Sequence, residues 1–345
     1  MTYSEIKKYL IKNKKNWLIT GAAGFIGSNI LEELLILEQN IICLDNFSTG
    51  SKDNLNKSIE SASVKLNLNS NILKKNNLQI IEGDITSLKT CKLACKSIDF
   101  ILHQAALGSV PRSIENPLLT HDANVNGFLN MLIAARDSKV KRFIFASSSS
   151  VYGDNLDLPK NENVIGNQLS PYASSKYINE LYAEIFFKNY ALEYIGLRYF
   201  NVFGKNQDPN GDYAAVMPKW IHAMLNNKDV IIYGDGKNSR DFCYIKNVVE
   251  ANILSALSGN SASNNIYNIG LNHNTSLIDL FDLIKNNINT LTNNNYNKPP
   301  LFKVSRPGDV IHSQANISKA SNLLNFYPKY DIDKGIKATI LDYIK

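Results

Sequence analysis

The chain has 345 residues, 37 of them basic and 31 acidic, for a net charge of +6; 44% are hydrophobic and 20% charged. That length and balance exclude a disordered, fibrous or peptide-sized chain and suffice for a sizeable core in one or two lobes. The mild positive excess is densest at Lys7, Lys8, Lys12, Lys14 and Lys15, a run that reads as a solvated helix face rather than a nucleic-acid surface.

Thr2 and Glu5 have the spacing of a capping box, which predicts an amphipathic helix over 3–13. An apolar strand is predicted over 17–20, followed by a glycine-rich turn at 21–27 and a helix to about residue 37. Further strands are predicted over 41–44, over Leu78–Glu82, over Phe100–His103, over 142–146 and over 194–198. These runs are apolar throughout rather than alternating, as in strands buried on both faces. Helices are predicted over 118–138 and Pro171–Tyr190. Strand–helix alternation of this kind predicts an α/β fold with a doubly wound parallel sheet. Residues 51–77, rich in Asn, Ser and Lys, read as a polar surface excursion with room for a helix and no assigned function, and the Asn-rich stretch 286–298 reads similarly. After about residue 200 the elements shorten, as in a smaller second lobe closing over the sheet. No stretch approaches 18 apolar residues, and Cys43, Cys91, Cys95 and Cys243 form no CxxC pair. A cytoplasmic protein with free thiols and no metal site is expected.

Gly21, Gly24 and Gly27 stand three apart between the first strand and the first long helix. A pyrophosphate needs this arrangement: a tight turn, a bare backbone, and the free N–H groups and partial positive charge of a helix start. Asp45 ends the second strand, 18 residues after Gly27, where a carboxylate would bind the ribose hydroxyls of an adenosine and repel a 2′-phosphate. The cofactor expected is therefore NAD rather than NADP.

Ser170 can cap the helix that opens with Pro171, and Tyr172 and Lys176 lie on one face of it. A nearby ammonium favours the phenolate, so such a tyrosine could act as a base near neutral pH. The serines at 147–150 follow the fifth strand, at the sheet end where ligands of open α/β sheets bind.

The glycine turn, Asp45, Gly83-Asp84-Ile85, His103-Gln104-Ala105-Ala106, Asn124-Val125-Asn126-Gly127, the serine run and the Tyr172/Lys176 pair come in one order. Together they resemble the extended short-chain dehydrogenase/reductase family, and within it the nucleotide-sugar epimerases. Segments 197–204, 234–242 and 306–309 agree with this. Segments 108–114, 207–211 and 213–220 resemble those of the UDP-N-acetylglucosamine 4-epimerases of bacterial surface-polysaccharide pathways, including lipopolysaccharide biosynthesis. The resemblance implies a Rossmann-type NAD-binding domain over 1–200, with return segments near 235–265, and a smaller α/β UDP-sugar-binding lobe over 201–345.

It further implies a catalytic triad of Ser148, Tyr172 and Lys176. For NAD it implies the turn residues Gly21, Gly24, Phe25, Ile26 and Gly27, then Asp45, Asn46, Ser48, Thr49 and Gly50. Asp84, Ile85, Gln104, Ala105, Ala106, Asn124, Ser147, Tyr199 and Val202 would complete that site with Tyr172 and Lys176. The sugar would meet Gly108, Ser109, Ser148, Ser149, Asn201 and Gln207. The UDP would meet Ala215, Val216, Lys219, Tyr233, Arg240, Arg306 and Asp309, the two arginines suiting a diphosphate. Ser313 falls where epimerases restricted to non-acetylated sugars resemble one another in carrying a tyrosine, so a serine implies room for an N-acetyl group. The implied reaction is NAD-dependent 4-epimerisation of UDP-N-acetylglucosamine or its uronic form through a 4-keto sugar. A homodimer is implied, with 118–138 and 171–190 forming a four-helix bundle across a two-fold axis; neither nucleic acid nor membrane is expected as a partner. A 4,6-dehydratase would need an acid and a base beside the serine run, where members of the family resemble one another in placing Asp-Glu; Ser149 and Ser150 stand there instead. A non-catalytic regulator on the same fold would commonly lack the Tyr/Lys pair.

Overall fold

The computed structural model describes residues 1–211, 214–304 and 311–344. Its centre is a seven-stranded parallel sheet. The strands are β1 (Asn16–Thr20), β2 (Asn40–Asp45), β3 (Leu78–Glu82), β4 (Phe100–His103), β5 (Arg142–Ser148), β6 (Tyr194–Tyr199) and β7 (Asn265–Ile269), in spatial order β3-β2-β1-β4-β5-β6-β7. Because side chains alternate along a strand, Trp17 and Ile19 pack into the layer on one face and Leu18 into the layer on the other. The order reverses between β1 and β4, which leaves a crevice at their carboxyl ends, where open α/β sheets bind ligands.

The expected helix at the N-terminus is present as Tyr3–Lys12 with its capping box, and Ser170 caps the helix Pro171–Tyr190 by accepting from the Ala173 N–H at 3.1 Å. All four cysteines are buried free thiols. No helix among the described residues is long and apolar enough to cross a membrane.

Four expectations need correction. First, β3 is not buried on both faces: it is an edge strand, and Ile80 is largely exposed. Second, 118–138 is not one helix. It consists of Pro117–His121, a π turn Asp122–Asn126 and Gly127–Asp137. Within the wide turn, Asn124 accepts from the Leu107 N–H at 2.7 Å and donates to the Leu107 carbonyl at 3.1 Å, bonds that reach outside the helix. Third, residues 51–77 do carry a helix, in fact two, Lys52–Leu66 and Ser70–Asn77, but the first packs into the core instead of lying on the surface. Leu55, Ile59 and Ala62 are buried in the core. Fourth, part of 286–298 continues the helix Leu277–Leu291, and Tyr296 beyond it is buried.

Beyond residue 200 the strands outside the main sheet are short, whereas the helices are not: Leu277–Leu291 runs 15 residues. Ile231–Tyr233 pairs with Leu301–Lys303, and Ser239–Arg240 with Thr275–Ser276. The helix Ile245–Leu257 is buried along most of its length and returns to the main sheet, followed by β7.

Candidate active site

The glycine turn leaves β1 with its early N–H groups tied down: Gly21 donates to the Leu44 carbonyl at 2.9 Å and Gly24 to the Gly21 carbonyl at 3.1 Å. Gly21 has φ +68°, and a Cβ there would lie 2.7 Å from the Ala105 nitrogen. A Cβ on Gly27 would lie 2.1 Å from the Gly21 oxygen, so the helix sits directly on the strand. Gly24 differs: a Cβ there meets only the Gly21 oxygen, at 3.2 Å, and otherwise open space. Gly24 is also the N-cap of the helix Phe25–Ile36, and no side chain caps that helix. The chain thus keeps its first turn bare for an outside anion. Asp45 stands beside it, accepting from the Ala23 N–H and the Phe47 N–H, each at 2.8 Å. Burial raises its carboxyl, while these two bonds lower it. These residues fit a dinucleotide.

The helix Lys52–Leu66 braces this turn. Asn54 donates to the Ala23 carbonyl at 3.1 Å. Lys65 and Lys205 pair with the half-hidden carboxylate of Glu32 at 2.6 and 2.7 Å. Asn206 donates to Ser28 Oγ at 3.1 Å. The loop that carries Gln207 is therefore tied to the first two long helices.

Ser148, Tyr172 and Lys176 are brought together at the end of β5. Tyr172 neighbours Ser148, which favours its phenolate. Lys176 Nζ lies 6.0 Å from the centre of the Tyr172 ring and donates to the Ala146 carbonyl at 2.9 Å. The protonation picture differs from the sequence expectation. Burial raises the Tyr172 hydroxyl, against the lowering by Ser148. Burial also pushes Lys176 down to about 8, against the raising effect of Glu180. Desolvation penalises both charged forms, and it outweighs the attraction between them in the protein alone.

Several expected cofactor residues have their polar atoms engaged within the protein. The Ser147 hydroxyl donates to buried Glu180, which Arg198 grips through Nε at 2.9 Å and Nη2 at 2.7 Å. Asn124, besides holding Leu107, donates to Ser175 Oγ at 3.1 Å. Tyr199 donates to Gln104 Oε1 at 3.2 Å, and Asn252 donates to the Tyr199 hydroxyl at 2.9 Å. Ala105 and Ala106 stay partly exposed beyond β4. Asn46 donates to Asp84 at 2.7 Å, linking the ends of β2 and β3 near Ile85. Ser48, Thr49 and Gly50 form the turn after them, and Val202 packs beside β6.

Of the sugar positions, Ser149 lies in the 3₁₀ turn Ser149–Tyr152. Ser109 caps the helix Val110–Glu115 after exposed Gly108. Asn201 donates to the Asp241 carbonyl at 3.0 Å. Gln207 Oε1 is buried with no hydrogen-bond partner. Of the UDP positions, Ala215 precedes the helix Val216–Leu225 as an N-cap without a side-chain cap, and Lys219 is exposed on it. Tyr233 lines a recess of about 540 Å³ with Phe302, Lys303 and Val304. Arg240 donates to the Ser239 and Ile311 carbonyls at 3.0 and 3.1 Å. Ser313 is buried, its N–H donating to the Ser239 carbonyl at 3.1 Å. Arg306 and Asp309 lie outside the described residues. A cleft of about 440 Å³ between Arg198, Phe187 and Lys319 is separate from this site.

Sequence reasoning missed Glu180, although it stands one turn beyond Lys176 on the same helix, a spacing open to view. It named Ser150 within the serine run but not its contact with the triad: Ser150 Oγ is 2.6 Å from Ser148 Oγ.

A bare-backboned turn after β1, a carboxylate at the end of β2 and a Ser–Tyr–Lys group at the end of β5 stand along the carboxyl ends of one parallel sheet, as in a dinucleotide-dependent α/β protein. Residues 17–270 match the NAD dependent epimerase/dehydratase family, and the chain belongs to that family. Its cofactor is NAD. The chain is 38% identical to UDP-N-acetylglucosamine 4-epimerase from Methanobrevibacter ruminantium, solved in complex with UDP-N-acetylmuramic acid, over 96% of this chain and 98% of that one, with a TM-score of 0.85. UDP-glucose 4-epimerase from Thermotoga maritima, solved with UDP-glucose, is 33% identical over 95% of this chain and 98% of that one, with a TM-score of 0.84. UDP-glucuronate 4-epimerase from Thermodesulfobacterium geofontis is 31% identical over 94% of each chain.

The depressed Lys176 gives a pH test. Between about 8 and the ordinary 10.5 the unfolded chain holds a proton that the folded protein has released, so stability rises with pH in that window. The unfolding free energy of the protein, relative to Lys176→Met, is expected to climb by up to about 3 kcal/mol from pH 8 to 10.5. Urea titrations at several pH values measure it; a flat difference would show that Lys176 is not held down.

Proposed function

We propose that the chain is a UDP-sugar 4-epimerase that interconverts UDP-N-acetylglucosamine and UDP-N-acetylgalactosamine, or their uronic forms, with NAD retained through each turnover. The observation that carries the reaction is the Ser148–Tyr172–Lys176 cluster at the end of β5 with hydroxyls, not carboxylates, at 149 and 150. A dehydratase must remove a carbon-bound proton and expel a hydroxyl, work that Ser149 and Ser150 cannot do near neutral pH. The three relatives named above are called after three different sugars. Overall likeness therefore supports 4-epimerisation and leaves the sugar to local chemistry. Ser313, small and buried beside Ser239 and Arg240, supports the acetylated sugar.

The glycine turn and Asp45 would hold NAD, which supplies reversible hydride acceptance when bound. The chain's own task is the proton. Tyr172 takes it from the sugar's C4 hydroxyl and returns it, with Ser148 beside the tyrosine. Lys176 stays charged below about pH 8 and favours the phenolate that burial opposes. Arg240 would bind the diphosphate, an anchor that keeps the 4-keto sugar bound while it turns its other face. In this reading residues 1–200, with the return segments near 235–265, hold NAD, and 201–345 mainly hold the UDP-sugar.

We further propose a homodimer. Ile114, Leu118, Leu119, Leu181 and Ile185 are exposed on neighbouring helices, Leu118 to 79%. Burying such a face is favourable at about 25 cal/mol per Å². Sedimentation velocity is expected to show a dimer that Leu118→Glu with Leu181→Glu converts to monomer; a monomeric parent would refute this.

The purified protein, with no NAD added, is expected to convert UDP-N-acetylglucosamine to a mixture of C4 epimers, followed by proton NMR. Tyr172→Phe should lower turnover by about 10²–10⁴-fold while NAD stays bound. No epimer from this sugar, UDP-glucose or UDP-N-acetylglucosaminuronate, even with NAD supplied, would end the epimerase reading. Ser313→Tyr is expected to cut kcat/KM for the acetylated sugars at least tenfold relative to UDP-glucose. Equal loss on both would remove Ser313 from the specificity argument.

A further inference from the structure

Ser150 is outside the triad yet touches it. Its Oγ lies 2.6 Å from Ser148 Oγ, and its backbone N–H donates to the same oxygen at 3.1 Å. The backbone bond is an ordinary serine turn, from residue i+2 to residue i. The contact between the two hydroxyls is not required by that turn. Ser148 also neighbours Tyr172 and lowers its hydroxyl, so it favours the phenolate.

A serine hydroxyl has one proton to donate and two lone pairs to fill. The Ser150 N–H takes one lone pair of Ser148. One proton and one lone pair remain for two neighbours, so Tyr172 and the Ser150 hydroxyl must play opposite roles. When Tyr172 is protonated and donates to Ser148, Ser148 donates to Ser150. When Tyr172 is a phenolate, Ser148 donates to it, and the Ser150 hydroxyl turns to donate to Ser148. The two arrangements differ by the rotation of two hydroxyls, with no heavy atom displaced.

We propose that Ser150 is a positioning residue: its hydroxyl sets the direction of the Ser148 proton and makes Ser148 a strong donor to the Tyr172 phenolate. A donor that itself accepts two hydrogen bonds is polarised and donates more strongly. With both lone pairs of Ser148 filled, the C4 hydroxyl of the sugar has Tyr172 as its acceptor. The inference rests on the epimerase reading for its sugar, but not for the hydrogen-bond arrangement itself. The charged and titratable groups around the pair are Lys176 and Glu180 on the same helix, His103 on β4, whose charge Lys176 opposes, and Arg198 on β6, which grips Glu180. Removing an uncharged hydroxyl leaves these charges in place.

The pH profile of kcat/KM for UDP-N-acetylglucosamine tests it, with Ser150→Ala and Ser150→Thr. Ser150→Ala is expected to move the acid limb up by about 0.5–1 pH unit, a loss of about three- to tenfold below the limb, with the high-pH plateau kept. Ser150→Thr should return the limb toward the parent's. An unmoved limb, or the same loss at every pH, overturns the proposal. A second measurement needs no turnover: the ultraviolet titration of Tyr172, taken as the difference between each protein and its Tyr172→Phe counterpart. The Tyr172 midpoint should rise by a similar 0.5–1 unit in Ser150→Ala. If the protein epimerises no sugar, the epimerase reading fails, and this titration still decides Ser150: an unmoved midpoint rules the role out.

Discussion

Buried Glu180 holds the catalytic end of the sheet in register. It accepts from Ser147 on β5 and from Nε and Nη2 of Arg198 on β6, while its own helix carries Tyr172 and Lys176. One carboxylate therefore indexes that helix against two strands. Arg198 also lies over the Tyr152 ring, at 4.9 Å, and donates to the Glu162 carbonyl at 2.9 Å. Removing one member of a buried ion pair typically costs about 3–5 kcal/mol, because the other charge is left bare. That cost opposes any slip of the helix, and a slip would separate Tyr172 from Ser148.

A second set of polar contacts does for the cofactor turn what Glu180 does for the catalytic helix. Glu32 draws Lys65 and Lys205 together, and Asn54 and Asn206 fasten the turn and the loop before Gln207. The turn and the loop before Gln207 are thus anchored to one pair of helices. The Asn-rich stretch at 51–77 provides half of that anchor. Asn54 and Asn77 donate to the backbone carbonyls of Ala23 and Glu38, so its polarity is structural as well as solvating.

The electrostatics of the catalytic group run against its chemistry. Burial disfavours the charged forms of both Tyr172 and Lys176. Neighbouring hydroxyls and Glu180 offset part of this, and the Ser148–Ser150 contact belongs with these offsets. Positive charge brought near such a tyrosine would favour its phenolate.

The sequence by itself determined the layered fold, because continuous apolar runs and intervening helices admit few arrangements. It also determined the glycine turn, Asp45, the cap at Ser170 and the pairing of Tyr172 with Lys176, since these are local and depend on spacing along one element. It could not reveal what lies opposite each side chain. That Ser147 is engaged by Glu180, that Asn124 widens a helix to hold Leu107, that β3 is an edge, and that residues 51–77 brace the turn are all long-range facts. They follow from strand order and packing, in which groups tens of residues apart meet. The protonation balance also belongs to the tertiary structure: the spacing of Tyr172 and Lys176 predicts attraction, but only the depth of burial decides that desolvation outweighs it.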